Sequence, residues 1–296
     1  MSWILYSLLA NVCFGLTVIL DKFLNTKKIK SVYSFAIILN LIYLFFILIT
    51  TYIQRDTFIF NSGAIYSVIA GVFWFFMWIC FWKAMQKGEA TRVSAIFFSQ
   101  PIYSSLIGVF IFHEVLTPLK WIGILIIVVG AVASSLGGEN HKKEVRSAYL
   151  FALLSAVFSS IGNSISKYAM KDLPPLTVNC IAFYSTIPLY LFLLKDNTVV
   201  KEVKNTFKNM SLTIQFTVRG LFGYMGIILF MTALSTGPIS LVTAVSGTQP
   251  LFVLVFSVLV SLLYPKAIHE EFNRRVLAPK LAALFLTVAG IIMISL

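Results

Sequence analysis

Residues 94–101 read SAIFFSQP, and residues 243–250 read TAVSGTQP. Both stretches lie in long apolar runs and end in the same Gln-Pro pair. A proline inside a helix removes one backbone hydrogen bond and bends the helix. Two such pairs, 149 residues apart in a chain of 296, indicate an internal repeat.

The repeat extends well beyond the two Gln-Pro pairs. Sliding residues 70–101 against residues 219–250 without a gap gives identical residues at ten of 32 positions. Two apolar segments of this kind would share about three identities by chance, given the usual frequencies of the common residues. The identities include Gly71/Gly220, Phe73/Phe222, Ala84/Ala233, Gly88/Gly237, Ala95/Ala244, Gln100/Gln249 and Pro101/Pro250.

The composition is that of a membrane protein. The chain is 59% hydrophobic and 11% charged, with a mean hydropathy of +0.91, which lies far outside the range of soluble domains. A helix of about 20 apolar residues crosses a hydrocarbon core of roughly 30 Å, and ten such segments can be counted. They are approximately residues 2–21, 32–53, 63–86, 92–112, 119–137, 147–168, 176–194, 212–234, 239–264 and 280–296.

These spans divide between the two halves of the repeat. Each half has five, and an odd number of spans inverts the second copy relative to the first, with a pseudo-two-fold axis in the membrane plane. The sequence therefore predicts an all-α integral membrane protein with ten transmembrane helices in two inverted five-helix repeats. The predicted domains are residues 1–140 and 146–296.

The positive charge has a topological explanation. The formal charge is +12, but no loop is long enough to form a basic nucleic-acid-binding domain. Of the 23 Lys and Arg residues, 18 fall in the odd-numbered loops and four in the even-numbered loops. Because cytoplasmic loops are enriched in these residues, this distribution predicts that both termini lie outside the cytoplasm.

On these features the chain resembles the ten-helix EamA-type members of the drug/metabolite transporter superfamily. The resemblance covers the whole length: two five-span halves, a Lys near the end of each first span (Lys22, Lys167), the KAMQKGEATRVSAI and TALSTGPISLVTAV junctions, the prolines that follow, and a His-Glu pair before each last span. It implies a central cavity lined by spans 1 to 4 and 6 to 9, with spans 5 and 10 peripheral. It also implies cytoplasmic termini, the opposite of the charge-based orientation.

A labelling experiment distinguishes the two orientations. The charge distribution predicts that Lys204→Cys and Lys142→Cys resist impermeant thiol reagents added to intact cells. A reporter fused after Leu296 should then be extracytoplasmic. Labelling of either cysteine from outside would instead support the orientation that the resemblance implies.

The Gln-Pro pairs are the first candidates for a substrate site. In hydrocarbon, a backbone group freed by a proline needs a partner, whereas a polar cavity tolerates it. We therefore expect the helix kinks at Pro101 and Pro250 to bring Gln100 and Gln249 together near the midplane, where inverted-repeat transporters bind substrate. The alternative role for both amides is interhelical hydrogen bonding.

Further candidates for substrate contact are amides inside the spans and aromatic side chains that could line a cavity: Asn11, Asn40, Asn163, Trp74, Trp78, Tyr184 and Tyr224. Trp74, Trp78 and Trp82 recur every four residues and so share one helix face, where tryptophan rings could bind a cation. The alternatives are helix packing for the amides and an interfacial belt for the tryptophans.

Charged residues are predicted only near the span ends. Lys22 and Lys167 would attract a carboxylate or phosphate if they reached the cavity, but such residues usually extend to the headgroups. Arg219 and Asp21 are placed near span ends as well. Since no Asp or Glu lies in the middle of a predicted span, the sequence favours facilitated exchange or uniport over proton coupling.

The sequence offers little for catalysis. The three histidines, His113, His141 and His269, lie in predicted loops. The three cysteines, Cys13, Cys80 and Cys180, fall in or near predicted spans and show no metal-ligand spacing. The hypothesis of an intramembrane enzyme is therefore disfavoured, and we predict no catalytic residue, metal site or cofactor.

Small residues mark a packing face on each peripheral span. Gly123 and Gly130 lie one heptad apart in span 5, and Ala289 and Gly290 adjoin in span 10. Such stripes allow close helix approach. They predict contact either within one chain or between two chains of a homodimer.

These observations favour a secondary transporter of the cell membrane that moves a small polar metabolite, such as an amino acid, by alternating access. The runner-up is a carrier of nucleotide sugars or lipid precursors, which the basic residues at span ends favour. A receptor or scaffold without transport is the third hypothesis.

Overall fold

The computed structural model describes residues 2–88, 93, 96–133, 143–249, 251–253, 255, 256, 259, 285, 286, 289, 290 and 292–294. All the regular structure in these residues is helical, which confirms the all-α fold. The helices are α1 (Ser2–Lys27), α2 (Val32–Ile53), α3 (Ser62–Lys87), α4 (Gln100–Phe112), α5 (Pro118–Ala133), α6 (Lys143–Ala169), α7 (Pro175–Leu193), α8 (Asn197–Lys208), α9 (Met210–Thr236) and α10 (Ile239–Ser246), with a short 3-10 helix at Arg55–Thr57.

Six of the described helices are long and apolar enough to cross a membrane: α1, α2, α3, α6, α7 and α9. They correspond to predicted spans 1 to 3 and 6 to 8. The helices α4, α5 and α10 are shorter apolar helices. Nine residues of predicted span 9 and ten of predicted span 10 lie outside the described residues, so the number of ten spans stays a prediction.

Each Gln-Pro pair follows an interruption of its helix. Phe98 and Ser99 form a turn between the helical residues 96–97 and α4, so that Pro101 is the second residue of α4. In the second half the turn is formed by Gly247 and Thr248, directly after α10. Proline has no N–H to continue the α-helical ladder. Pro250 itself lies outside the described residues.

One predicted loop is a helix. The residues of α8 belong to a segment assigned to a loop, because they are polar and basic. Val199, Val203 and Thr206 form a buried face of α8, and the spacing of three and four residues places them on one side. Side-chain and backbone hydrogen bonds from Thr198 lower the pKa of Asp196, the N-cap residue that precedes this helix.

The helix α8 is fixed to the start of α2. The Glu202 carboxylate accepts hydrogen bonds from the backbone N–H groups of Lys30 at 2.7 Å and Ser31 at 3.2 Å. An acidic side chain is favourable at this position, because the first N–H groups of a helix carry a partial positive charge.

Helices from the two halves pack reciprocally. The helix α1 packs along α9, and α3 packs along α6. The helix α3 also crosses α7, where Gly71 allows close approach: a Cβ at Gly71 would overlap the Ala182 carbonyl oxygen and the Ser185 hydroxyl. The most extensive helix contacts of the fold are thus between halves.

The small-residue stripes meet within one chain. A Cβ at Gly123 would lie 2.9 Å from the Gly290 carbonyl oxygen, and a Cβ at Gly290 would lie 2.7 Å from the Gly123 carbonyl oxygen. These positions therefore require glycine for the contact between α5 and the C-terminal segment. The stripes are used inside the chain, and they give no support to a homodimer.

Candidate functional site

A cavity of about 130 Å³ lies between helices of both halves. This volume is comparable to the engineered apolar cavity of about 150 Å³ that takes up benzene. Aromatic and methionine side chains form most of its apolar wall, and a smaller group of polar side chains faces it. The polar group consists of Thr17, Asp21, Gln100, Ser159, Asn163, Asn179, Ser246 and Gln249.

The two Gln-Pro amides reach this one cavity. Gln100 lies at the start of α4, Gln249 follows the turn after α10, and both line the cavity. Their exposed fractions are 4% and 8%. Within the described part of the chain, neither side-chain amide has a hydrogen-bond partner. Both amides are therefore available to a bound molecule.

Two asparagines complete the amide set. Asn163 on α6 accepts a hydrogen bond of 3.1 Å from the Trp74 indole N–H. Asn179 on α7 is 5% exposed and lines the cavity, and its Nδ2 has no partner among the described residues. A buried donor without a partner is costly. Asn179 was not among the predicted residues, although its signal, an amide within an apolar span, is the one that selected Asn163.

The aromatic wall comes from the tryptophan stripe of α3 and from facing helices. Trp74 and Trp78 line the cavity. Trp78 stacks on Trp82 with ring centroids 5.2 Å apart, and Trp82 is only 2% exposed. Trp82 is thus packed in the core, so the stripe does not form an interfacial belt. Gly162 leaves room for Trp74, whose Cδ1 would lie 2.6 Å from a Cβ at that position.

An ion pair lies at the edge of the cavity, which its acidic member lines. The Arg219 Nε lies 2.5 Å from Asp21 Oδ1, and Nη2 lies 2.7 Å from Asp21 Oδ2, while Nη1 donates to the Tyr43 hydroxyl. Asp21 and Arg219 are each 1% exposed. Asp21 is the only charged side chain that lines the cavity among the described residues.

This ion pair corrects two predictions. Asp21 and Arg219 were placed near span ends, but α1 continues to Lys27 and Arg219 is fully inside α9. The argument against proton coupling relied on the absence of an acid at the cavity, and that premise is wrong. The sequence signal was present, since Asp21 lies only four residues before another polar buried residue of the same helix, Asn25.

Four other candidates lie away from the cavity lining. Asn11 donates to the Val245 carbonyl at 2.9 Å and to Thr248 Oγ1 at 3.0 Å, so it holds the turn that follows α10. Tyr224 and Tyr184 bond to hydroxyls of α2, namely those of Thr50 and Thr51. Asn40 is half-buried on α2. Asn11 and the two tyrosines join helices to one another in this conformation.

The two repeated lysines bind helix ends. Lys22 Nζ donates to the carbonyls of Met85 at 3.2 Å and Gly88 at 3.1 Å, at the end of α3. Lys167 Nζ donates to the carbonyls of Leu234 and Gly237, at the end of α9. The pairs are equivalent in the repeat. A cation at a helix C-terminus satisfies carbonyls that have no partner within the helix.

We predict that Lys22→Met and Lys167→Met each lower the free energy of unfolding by about 1 to 2 kcal/mol, because helix-end carbonyls lose their donor. Flux per folded molecule should change little. Thermal unfolding in detergent and uptake by proteoliposomes would test both parts. Loss of uptake without loss of stability would restore the role in substrate binding that the sequence suggested.

Comparison with known proteins places this geometry in a family. A sequence model of the EamA-like transporter family matches residues 1–136 and again residues 146–296. The chain belongs to the EamA-like transporter family. The two matches cover both halves of the repeat, so the two-repeat architecture and a multi-pass membrane location follow from membership. EamA-like proteins are membrane transporters of the drug/metabolite superfamily.

The remaining comparisons concern sequence relatives and fold. None of the curated proteins matches the chain. A protein of known crystal structure aligns with this EamA-like chain at a TM-score of 0.67, with 17% sequence identity over 97% of this chain and 98% of the other. At this identity the similarity shows the fold alone.

Proposed function

We propose that this EamA-like protein is a secondary transporter of a small polar metabolite, working by alternating access in the plasma membrane. In this proposal ten transmembrane helices form two inverted halves around the cavity. The main support for this proposal is that Gln100 and Gln249, one from each half, line the same cavity. Neither side-chain amide has a hydrogen-bond partner among the described residues. Buried amides of this kind would bind a polar solute.

The charge of the cavity favours a net-neutral substrate, such as a zwitterionic amino acid. Both oxygens of Asp21 are bonded to Arg219, so the described lining carries no unpaired charge. A phosphorylated substrate would bring negative charge into a buried site without a partner, which is costly. Lys22 and Lys167, which favoured a nucleotide-sugar or lipid-precursor carrier, are bonded to helix carbonyls.

We predict that Gln100→Leu and Gln249→Leu each lower flux about 10- to 100-fold, the equivalent of losing one or two hydrogen bonds in the bound state. Melting temperature should stay nearly constant, since leucine has a similar volume. The experiment is a thermal-shift screen with amino acids and phosphorylated metabolites, followed by counterflow in proteoliposomes.

Gln215→Leu is the matched control, because the Gln215 side chain bonds only to Ser211 on its own helix among the described residues. Reduced stability with unchanged flux per folded molecule would make the two amides packing residues. Absence of flux for every solute that shifts the melting temperature would favour a receptor or scaffold.

A further inference from the structure

The ion pair between Asp21 and Arg219 connects the two halves of the protein. Asp21 is on α1 in the first half, and Arg219 is on α9 in the second half. The guanidinium makes two parallel bonds to the carboxylate and a third to Tyr43 on α2. A Cβ at Gly223 would overlap the Tyr43 hydroxyl, so the absence of a side chain there leaves room for the third bond.

The equivalent contact in the inverted repeat has no charge. The alignment of the halves places Ser166 of α6 opposite Asp21 and Ala70 of α3 opposite Arg219. Both are fully buried, and the Ser166 hydroxyl bonds to the Gly162 carbonyl of its own helix at 2.8 Å. The α3–α6 contact instead contains the neutral bond between Trp74 and Asn163.

We name these two contacts the α1–α9 gate, defined by Asp21 and Arg219, and the α3–α6 gate, defined by Ala70 and Ser166. In a transporter built from inverted repeats, one half rocks against the other, and equivalent contacts open in turn on the two sides. If the halves were identical, the two facing states would have equal free energy. The described gates differ in charge, because the α1–α9 gate contains a buried bidentate ion pair and Ala70 and Ser166 are neutral.

We propose that the Asp21–Arg219 pair is a latch that keeps the α1–α9 gate closed when the cavity is empty, so that the resting protein opens preferentially at the α3–α6 gate. This inference rests on the alternating access proposed above. Opening this gate breaks the two charge-assisted hydrogen bonds of the pair and the bond to Tyr43, which disfavours the open state. Asp21 also lines the cavity, so a bound solute could contact the latch directly.

Distances between spin labels test the latch in the full-length protein without substrate. Labels at Lys28 and Ser211 report on the α1–α9 gate, and labels at Ile65 and Lys171 report on the α3–α6 gate. The four sites are exposed, and Cys13, Cys80 and Cys180 are first replaced by serine. The test variant, Asp21→Asn with Arg219→Gln, removes both charges and so leaves no buried charge unpaired.

The expected result is an increase of at least about tenfold in the ratio of open to closed α1–α9 gate in the test variant, with the α3–α6 gate shifting the other way. Tyr43→Phe, which keeps the ion pair and removes one bond, should give a smaller shift of about two- to fivefold. The matched control replaces the exposed pair Arg55 and Asp56 by Gln and Asn and should change neither gate.

Unchanged gate populations in both the double variant and Tyr43→Phe would overturn the latch, as would equal opening of both gates. These outcomes differ from those that would contradict the transporter proposal. If the protein transports a solute but the variants leave the gate populations unchanged, the latch is wrong and the transporter proposal stands. If the gate populations respond to the ion pair but the protein transports no solute, the latch is supported and the transporter proposal is wrong.

Discussion

Asp21→Asn alone is expected to lower the free energy of unfolding by about 3 to 5 kcal/mol, the usual cost of removing one partner from a buried ion pair. Arg219 would remain 1% exposed with its charge unpaired. The double variant with Arg219→Gln should recover most of this loss, because a neutral pair has no charge to solvate. The measurement is reversible unfolding, or thermal unfolding at matched detergent concentration.

The chain provides a control for this prediction in a second Asp–Arg pair. Arg55 and Asp56 are 3.7 Å apart, and their side chains are 65% and 89% exposed. Asp56→Asn should therefore change stability by less than about 1 kcal/mol. Equal effects of Asp21→Asn and Asp56→Asn would contradict the buried position of the first pair.

Gly71→Leu is expected to cost about 3 kcal/mol or more, or to prevent folding, because α3 and α7 could no longer cross at this point. The obstacle is the Ala182 carbonyl, which is part of the α7 backbone and cannot rotate away as a side chain could. Leucine favours helices more than glycine does, so the loss could not be attributed to helix propensity.

Val68→Leu is the control for Gly71→Leu, since Val68 lies on the same helix and is 44% exposed. Its stability should be close to that of the native chain. Expression, monodispersity and melting temperature compare the two variants. A Gly71→Leu protein as stable as Val68→Leu would show that the helices do not cross as closely as the structure has them.

Patterns that depend on residue type and spacing predicted the fold well. Apolar length predicted α-helices, and the repeated Gln-Pro pairs predicted amides that the structure places at one cavity. The helix α8 was assigned to a loop because its buried face is short, with only Val199, Val203 and Thr206, and most of its other residues are polar. Apolar length is a poor signal for a helix that lies beside the membrane spans.

Partners in space were harder to predict. The first apolar run ends at residue 21, although α1 continues to Lys27. Asp21 was therefore placed too near the membrane surface. Arg219 is its partner 198 positions later, and no local pattern connects them. Lys22 and Lys167 were correctly recognised as equivalent, but the carbonyls that accept their hydrogen bonds belong to other helices.

The lysine contacts also bear on the order in which the protein assembles. Lys22 bonds to the end of α3, and Lys167 bonds to the end of α9, so each bond joins two helices of the same half. The ion pair, in contrast, joins the halves. Since a chain is synthesised from its N-terminus, the Lys22 contact needs only the first 88 residues to have left the ribosome. The cavity can form only after both halves have entered the bilayer.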